Sequence, residues 1–143
     1  MKLRENLEAL LPEPAVNWLM TMFDVIQTLD DFADGEQVER KELDALIWNT
    51  LVALPGNAFF MQHAGMLLPV VAMAILKWQA SDQAEREGRA DERAYMWRAG
   101  YYDLVLMAVL LTHGSLKTTE ISEKIMRLYG EEFKDYIKEF HNA

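Results

Sequence analysis

The sequence predicts an all-α fold: a single-domain bundle of five to six helices around a buried central helix at about 58–86. Three observations predict it. Apolar residues recur at spacings of three and four through most of the chain. Proline, glycine and asparagine fall between these periodic stretches, at Pro12, Pro14, Gly35, Pro55-Gly56-Asn57, Gly88, Gly114 and Gly130. And Ala64 to Leu76 is thirteen residues without a charge. A membrane span needs about 20 apolar residues, so a run of this length is expected to be a core helix.

Leu3, Leu7, Leu10 and Leu11 lie at helical spacing, so residues 1–13 can form a short helix that Pro12 and Pro14 end. Pro14 also suits the first turn of the next helix, at about 15–33. There Asn17, Thr21, Asp24, Thr28 and Asp31 make a narrow polar stripe, and Trp18, Leu19, Phe23, Val25 and Ile26 belong to a wide apolar face that continues to Leu29 and Phe32. Asp34-Gly35-Glu36-Gln37 reads as an N-cap and capping box opening a helix at about 36–54. Pro55-Gly56-Asn57 breaks that helix, with Asn57 capping the next.

The 58–86 helix is apolar nearly all round until Lys77, and Pro69 should kink or split it. Its last turns, SDQAEREGRADER, are expected to leave the core for water, with a turn at Gly88. A helix at about 91–112 starts polar and becomes apolar on every face from Ala99; His113-Gly114 ends it. A last amphipathic segment runs from Thr118 or Thr119 to Phe140, interrupted at Gly130. No repeat, low-complexity stretch or internal boundary is visible, so residues 1–143 read as one all-helical domain.

Bulk properties narrow the function classes. Net charge is −9, from 14 basic and 23 acidic residues. Such a chain repels a nucleic-acid backbone, and no basic patch with interleaved aromatics is present, so no nucleic-acid partner is expected. Cysteine is absent, which excludes disulfides, thiolate zinc sites and thiol nucleophiles and fits a reducing compartment. The first residues mix charge among the leucines and lack the apolar core of a secretory signal. A cytoplasmic protein with no membrane partner is the expectation.

Chemistry concentrates in the acidic hairpin LDDFADGEQVERKE, residues 29–42. At about 100° per residue, Asp30 projects between Leu19 and Phe23 on the apolar face. Glu39 falls in the core arc of the following helix, and Asp34 lies between the two. Carboxylates gathered at a helix C-terminus add to a dipole end that is already negative, and Mg²⁺ would relieve them while leaving positions for phosphate oxygens. The bland alternative is a solvated loop with Asp34 as a cap. Asp103, embedded in GYYDLVLMAVLL, must be paired, metal-bound or protonated. An ion pair with Lys77 or Arg98 and a metal or acid role both fit it. Asp30, Asp34, Glu39 and Asp103 are therefore the candidate metal ligands. His63 reads as a hydrogen-bonded core residue. No Ser-His-Asp, HExxH or glycine-rich phosphate loop exists, so catalytic residues are not assigned.

Two family resemblances rest on these acids. Asp30-Asp31-Phe32-Ala33-Asp34 resembles DDxxD, the aspartate-rich motif of class I isoprenoid and terpenoid synthases, which implies Mg²⁺-diphosphate binding. Ser81-Asp82 with Glu85 is the nearest approach to a second motif. The chain also resembles the all-α nucleotide pyrophosphohydrolases, which carry ExxE on one helix and ExxD on a later one. Glu36-Gln37-Val38-Glu39 and Glu39-Arg40-Lys41-Glu42 fit ExxE. Asp103-Leu104-Val105-Leu106-Met107 is similar to the second motif's aspartate and apolar run, with Gly100 where that family has its glutamate, and Thr119 to Phe140 is similar to its closing helix. That resemblance implies Mg²⁺ holding a nucleotide di- or triphosphate and an attacking water.

Two classes of function follow. One is a homo-oligomeric interaction or accessory module, most simply a dimer, because the 58–86 and 91–112 helices have too few polar faces for a small monomer. The other is a Mg²⁺-dependent hydrolase whose ligand is a phosphate-containing small molecule.

Overall fold

In the computed structural model, residues 2–141 are described, and they are all-helical, without strands. The chain divides into two compact units, Met1–Ala64 and Gly65–Ala143. The division falls inside a helix, where the sequence carries no linker signal.

In the first unit, α1 (Lys2–Glu8) packs on α2 (Glu13–Ala33). Pro14 sits in the first turn of α2, where its missing N–H has no intrahelical acceptor to lose. Leu7, Ala15, Val16, Trp18 and Leu19 are buried, and Trp18 stacks on Phe60 with ring centroids 5.7 Å apart. The last buried residue of α2 is Val25. Beyond it Leu29 and Phe32 are exposed, Phe32 by 75%, so the final two turns outrun the core that the apolar spacing predicts for them.

The 34–39 segment also departs from expectation. Asp34 does not open a helix; it closes α2, its N–H donating to the Asp30 carbonyl at 3.0 Å. Gly35 follows at φ 77, and the Glu36 N–H reaches back to the Asp31 carbonyl at 2.9 Å. This left-handed glycine and its 6→1 bond form a Schellman-type stop, which satisfies carbonyls that a capping box would leave open. The next helix, α3 (Arg40–Trp48), therefore starts later than the expected residue 36, and Glu39 is its N-cap residue. A π-helical turn at Asn49–Ala53 and a short α4 (Leu54–Gly56) complete this arm. Asn57 caps as expected: its side-chain oxygen accepts from the Phe60 N–H, and its amide donates to the Pro14 carbonyl, each at 3.0 Å.

Helix α5 (Ala58–Arg86) passes through Pro69 without a break there. Its one non-helical residue is His63, at φ −121 and ψ 17, in the turns just before the position where the proline ring crowds the Gly65 carbonyl. His63 lies against Phe59 at 4.8 Å between ring centroids. Burial along α5 is much less than the sequence predicts. Between Gly65 and Ala80, Leu67 alone is fully buried. By length and composition, this helix is apolar enough to cross a membrane.

The second unit continues from Gly65. The charged end of α5 does not leave the core as expected: Ser81 and Ala84 are buried, and so are Ala90 and Ala94 beyond the Gly88 turn. Charges such as Arg86, Glu87 and Arg93 occupy the outside, while the small residues let α6 (Glu92–Trp97) and α9 (Phe133–His141) close around Tyr136. Asp91 caps α6 by accepting the Arg93 and Ala94 N–H groups, each at 3.0 Å.

The expected 91–112 helix is two helices, parted at Arg98–Gly100, and the second is α7 (Tyr101–His113). Gly100 is buried, and a Cβ there would lie 2.9 Å from the Cβ and 3.0 Å from the Cα of Ala74. Gly114, at φ 84, ends α7 as expected and opens α8 (Ser115–Met126), which packs back on α7.

Gly100→Ala should lower stability by about 1–3 kcal/mol, because the helix backbone must shift to admit one methyl. Gly56→Ala, with open space at its Cβ, should stay within about 1 kcal/mol. Urea unfolding midpoints compare the two.

Candidate functional site

The acidic hairpin lies in the first unit. Asp30 is half-buried in the last turn of α2, while Asp34 and Glu39 are exposed. The Glu39 carboxylate is 3.6 Å from the Lys41 ammonium, and both side chains are mostly solvated. Glu39 does not reach a core arc, because 36–39 is not helical and the helical phase extrapolated through it does not apply. Among the described residues, no three histidine, aspartate or glutamate side chains gather in a way that could hold a metal ion.

Asp103 lies in the second unit, in the first turn of α7. Its carboxylate accepts from the Lys77 ammonium at 2.8 Å, with the two side chains 34% and 36% exposed. The pair supplies the counter-charge that an aspartate in an apolar helix needs. Gly100, three residues earlier, cannot be exchanged for a residue with a side chain without pushing into Ala74. The position of the second motif's glutamate is thus sterically closed here.

The most organised polar cluster is one that the sequence signals poorly. The Glu85 carboxylate accepts from the Tyr136 hydroxyl at 3.0 Å and from the Arg98 guanidinium at 3.4 Å. Arg98 also approaches the Glu131 carboxylate at 3.6 Å and lies over the Tyr136 ring, 5.0 Å from its centroid. Ser81 donates to the Ala94 carbonyl at 2.7 Å, which ties α5 to α6. Tyr95 donates to the Glu131 carbonyl, and its ring meets those of Tyr129, Phe133 and Tyr136 at 5.2–5.6 Å.

Burial pushes the Tyr136 phenol well above its ordinary value, and the Glu85 carboxylate adds to the rise; Arg98 opposes it. Burial likewise raises Tyr129, with the charge of Glu131 second. The phenols are held neutral, as donors. Every strong acceptor in the cluster has a donor, and its side chains point at one another. The arrangement is that of a structural clasp between α5, α6 and α9.

A shallow cleft of about 310 Å³ in the first unit is lined by Arg4, Glu8, Leu11, Glu13, Val16 and Asn17. Its charged groups are solvated at the surface, so it offers little differential binding.

No protein-family model matches this chain, and no curated protein or solved structure matches it.

Arg98 and Glu85 are largely buried, with side chains 18% and 12% exposed. Arg98→Ala should therefore cost about 3–5 kcal/mol, since it strands a buried carboxylate. Lys77→Ala should cost under about 1 kcal/mol, because its pair is partly solvated. Chemical denaturation at pH 7 separates the two.

The raised phenol pKa values also set an alkaline limit. A group whose folded pKa lies above its unfolded one contributes stability that is complete below about pH 10 and is lost as pH rises past that. Unfolding free energy should fall from pH 10 upward, and less steeply in Tyr136→Phe.

Proposed function

We propose that this chain is a homo-oligomeric interaction or accessory module rather than a catalyst. Exposed large apolar side chains carry this reading. On α3 and the π-helical turn, Ile47, Trp48, Leu51 and Val52 stand in solvent, Trp48 by 62% and Leu51 by 72%. On α5, Met66, Leu68, Met73, Ile75 and Leu76 are each at least half exposed. Apolar side chains grouped along a helix face mark association sites, whereas scattered ones do not. The partner in this reading is a second copy. An acidic chain without cysteine suits a reducing cytoplasm, and its charge disfavours nucleic acid.

A Mg²⁺-dependent hydrolase of nucleotide phosphates is less well supported. It needs carboxylates free to take an ion, and Asp103 is engaged by Lys77 and Glu39 lies beside Lys41. An isoprenoid-diphosphate site on DDxxD has still less support, because Asp34 closes a helix in water.

Light scattering across a concentration series should give twice the chain mass of 16.5 kDa. A monomer throughout the series would remove the reading. Thermal unfolding should be insensitive to millimolar Mg²⁺ or Mn²⁺. A clear stabilisation that disappears in Asp30→Ala would favour the hydrolase instead.

A further inference from the structure

We infer that α5 is hinged at residues 63–65, so that its segments before and after this turn move as separate rods. The inference does not rest on self-association and applies to a monomer or an oligomer alike.

Three features of the backbone meet in this one turn. His63 has φ −121 and ψ 17, and α5 kinks there. Each angle differs by about 60° from the value of a regular helix. Pro69 has no N–H, so the Gly65 carbonyl lacks the bond that position 69 supplies in an unbroken helix, and the proline ring crowds that same oxygen. Gly65 itself has no side chain to limit its backbone, and no atom lies within 4 Å of where its Cβ would be. A kinked residue, a missing bond and a permissive residue therefore fall within two turns of one helix. Bends in helices have such causes, and a hinge needs only a few residues to absorb the change in backbone angles.

The two rods are held by different partners. Before the turn, Phe60 stacks on Trp18 at 5.7 Å between ring centroids, and the Asn57 amide donates to the Pro14 carbonyl at 3.0 Å. Both contacts tie the start of the helix to α2. After the turn, Ala74 lies against Gly100, Lys77 pairs with Asp103 at 2.8 Å, and Ser81 donates to the Ala94 carbonyl at 2.7 Å. Glu85 then accepts from Tyr136 at 3.0 Å. These contacts tie the rest of the helix to α6, α7 and α9. The ring of His63 meets Phe59, one turn earlier on its own helix. The boundary between the two compact units falls between Ala64 and Gly65, at the same turn. For an interaction module the consequence is reach, since a partner held by one rod does not have to meet the other in a single orientation. Motions of this kind run in microseconds to milliseconds.

Spin labels read the hinge directly, and the chain has no cysteine to compete with introduced ones. Gln27, Gln83 and Glu120 are exposed, the first in the first unit and the other two in the second. The full-length protein labelled at Gln27→Cys and Gln83→Cys is diluted with unlabelled chain, which removes distances between copies. Pulsed dipolar spectroscopy should give a broader distance distribution for this pair than for Gln83→Cys with Glu120→Cys. Adding Gly65→Ala and Pro69→Ala restores an N–H at position 69 and removes the freedom at 65. The first distribution should then narrow to the width of the second. Both substituted positions are exposed, and neither change fills occupied space at Gly65.

Equal widths for the two pairs without these substitutions overturn the hinge. So does a broad first distribution that the double substitution leaves broad, because the motion then lies elsewhere. Where circular dichroism finds the doubly substituted protein unfolded, hydrogen exchange in the unsubstituted chain decides. Amides at 64–68 should exchange roughly tenfold faster than those at 74–78 of the same helix, as expected for a locally opening turn. Equal protection along the helix sinks the inference.

Discussion

Arg98 is the charge on which the second unit depends. A guanidinium this far from water must be matched by anions and donor geometry, or it costs several kcal/mol. Its match comes from three places in the chain: Glu85 on α5, Glu131 in the loop before α9, and the face of Tyr136 on α9. These partners bring the helices into one arrangement. The break that parts α6 from α7 sits at this same residue, the C-cap of α6. Two residues later Gly100 admits Ala74 to within contact, so the polar match and the close helix approach occur side by side. A continuous helix through 91–112 would carry Arg98 on one phase and Gly100 on a rigidly related one. The break frees each to meet its own partner.

Much of the fold was legible in the sequence because it depended on local chemistry. Pro14 in a first turn, Asn57 as a cap and Gly114 at a helix end each act on backbone groups a few residues away. The hairpin was read less well for a specific reason. Asp34-Gly35 suits either a helix start, with Asp34 accepting N–H groups, or a helix end, with Gly35 left-handed. Spacing alone does not choose between them. The Schellman-type closure prevailed, since it satisfies the carbonyls of Asp31 and Phe32 at once. With that choice the next helix lost a turn, and Glu39 lost the helical phase that placed it in a core.

The candidate residues divide along the same line. Asp103 was legible because one carboxylate in an apolar helix demands a counter-charge, and Lys77 supplies it at 2.8 Å. The clasp around Glu85 was not. Ser81 and Glu85 share a helix face by their spacing, but Tyr136 is 51 positions further on. Nothing local to Tyr136 announces a buried acid. The 81–94 segment also looks solvated by composition, because its charges outnumber its apolar side chains. Its inner stripe consists of Ser81, Ala84, Ala90 and Ala94, residues too small to register as a hydrophobic signal yet small enough to let helices meet.

A helix that is apolar all round ordinarily finds its partners within its own chain. Along α5 the stretch from Gly65 to Ala80 instead keeps an exposed face that, Gln79 apart, is apolar. Net charge opposes bringing two copies together, since each carries −9. That opposition is weakened along α5, because no exposed residue from Gly65 to Ala80 is charged. At physiological salt, charges beyond about 8 Å are largely screened. The acidic surface would then limit indiscriminate clustering while leaving one uncharged apolar face on which contact is favourable. Specificity in such a chain comes from where the charges are missing as much as from the apolar residues that replace them.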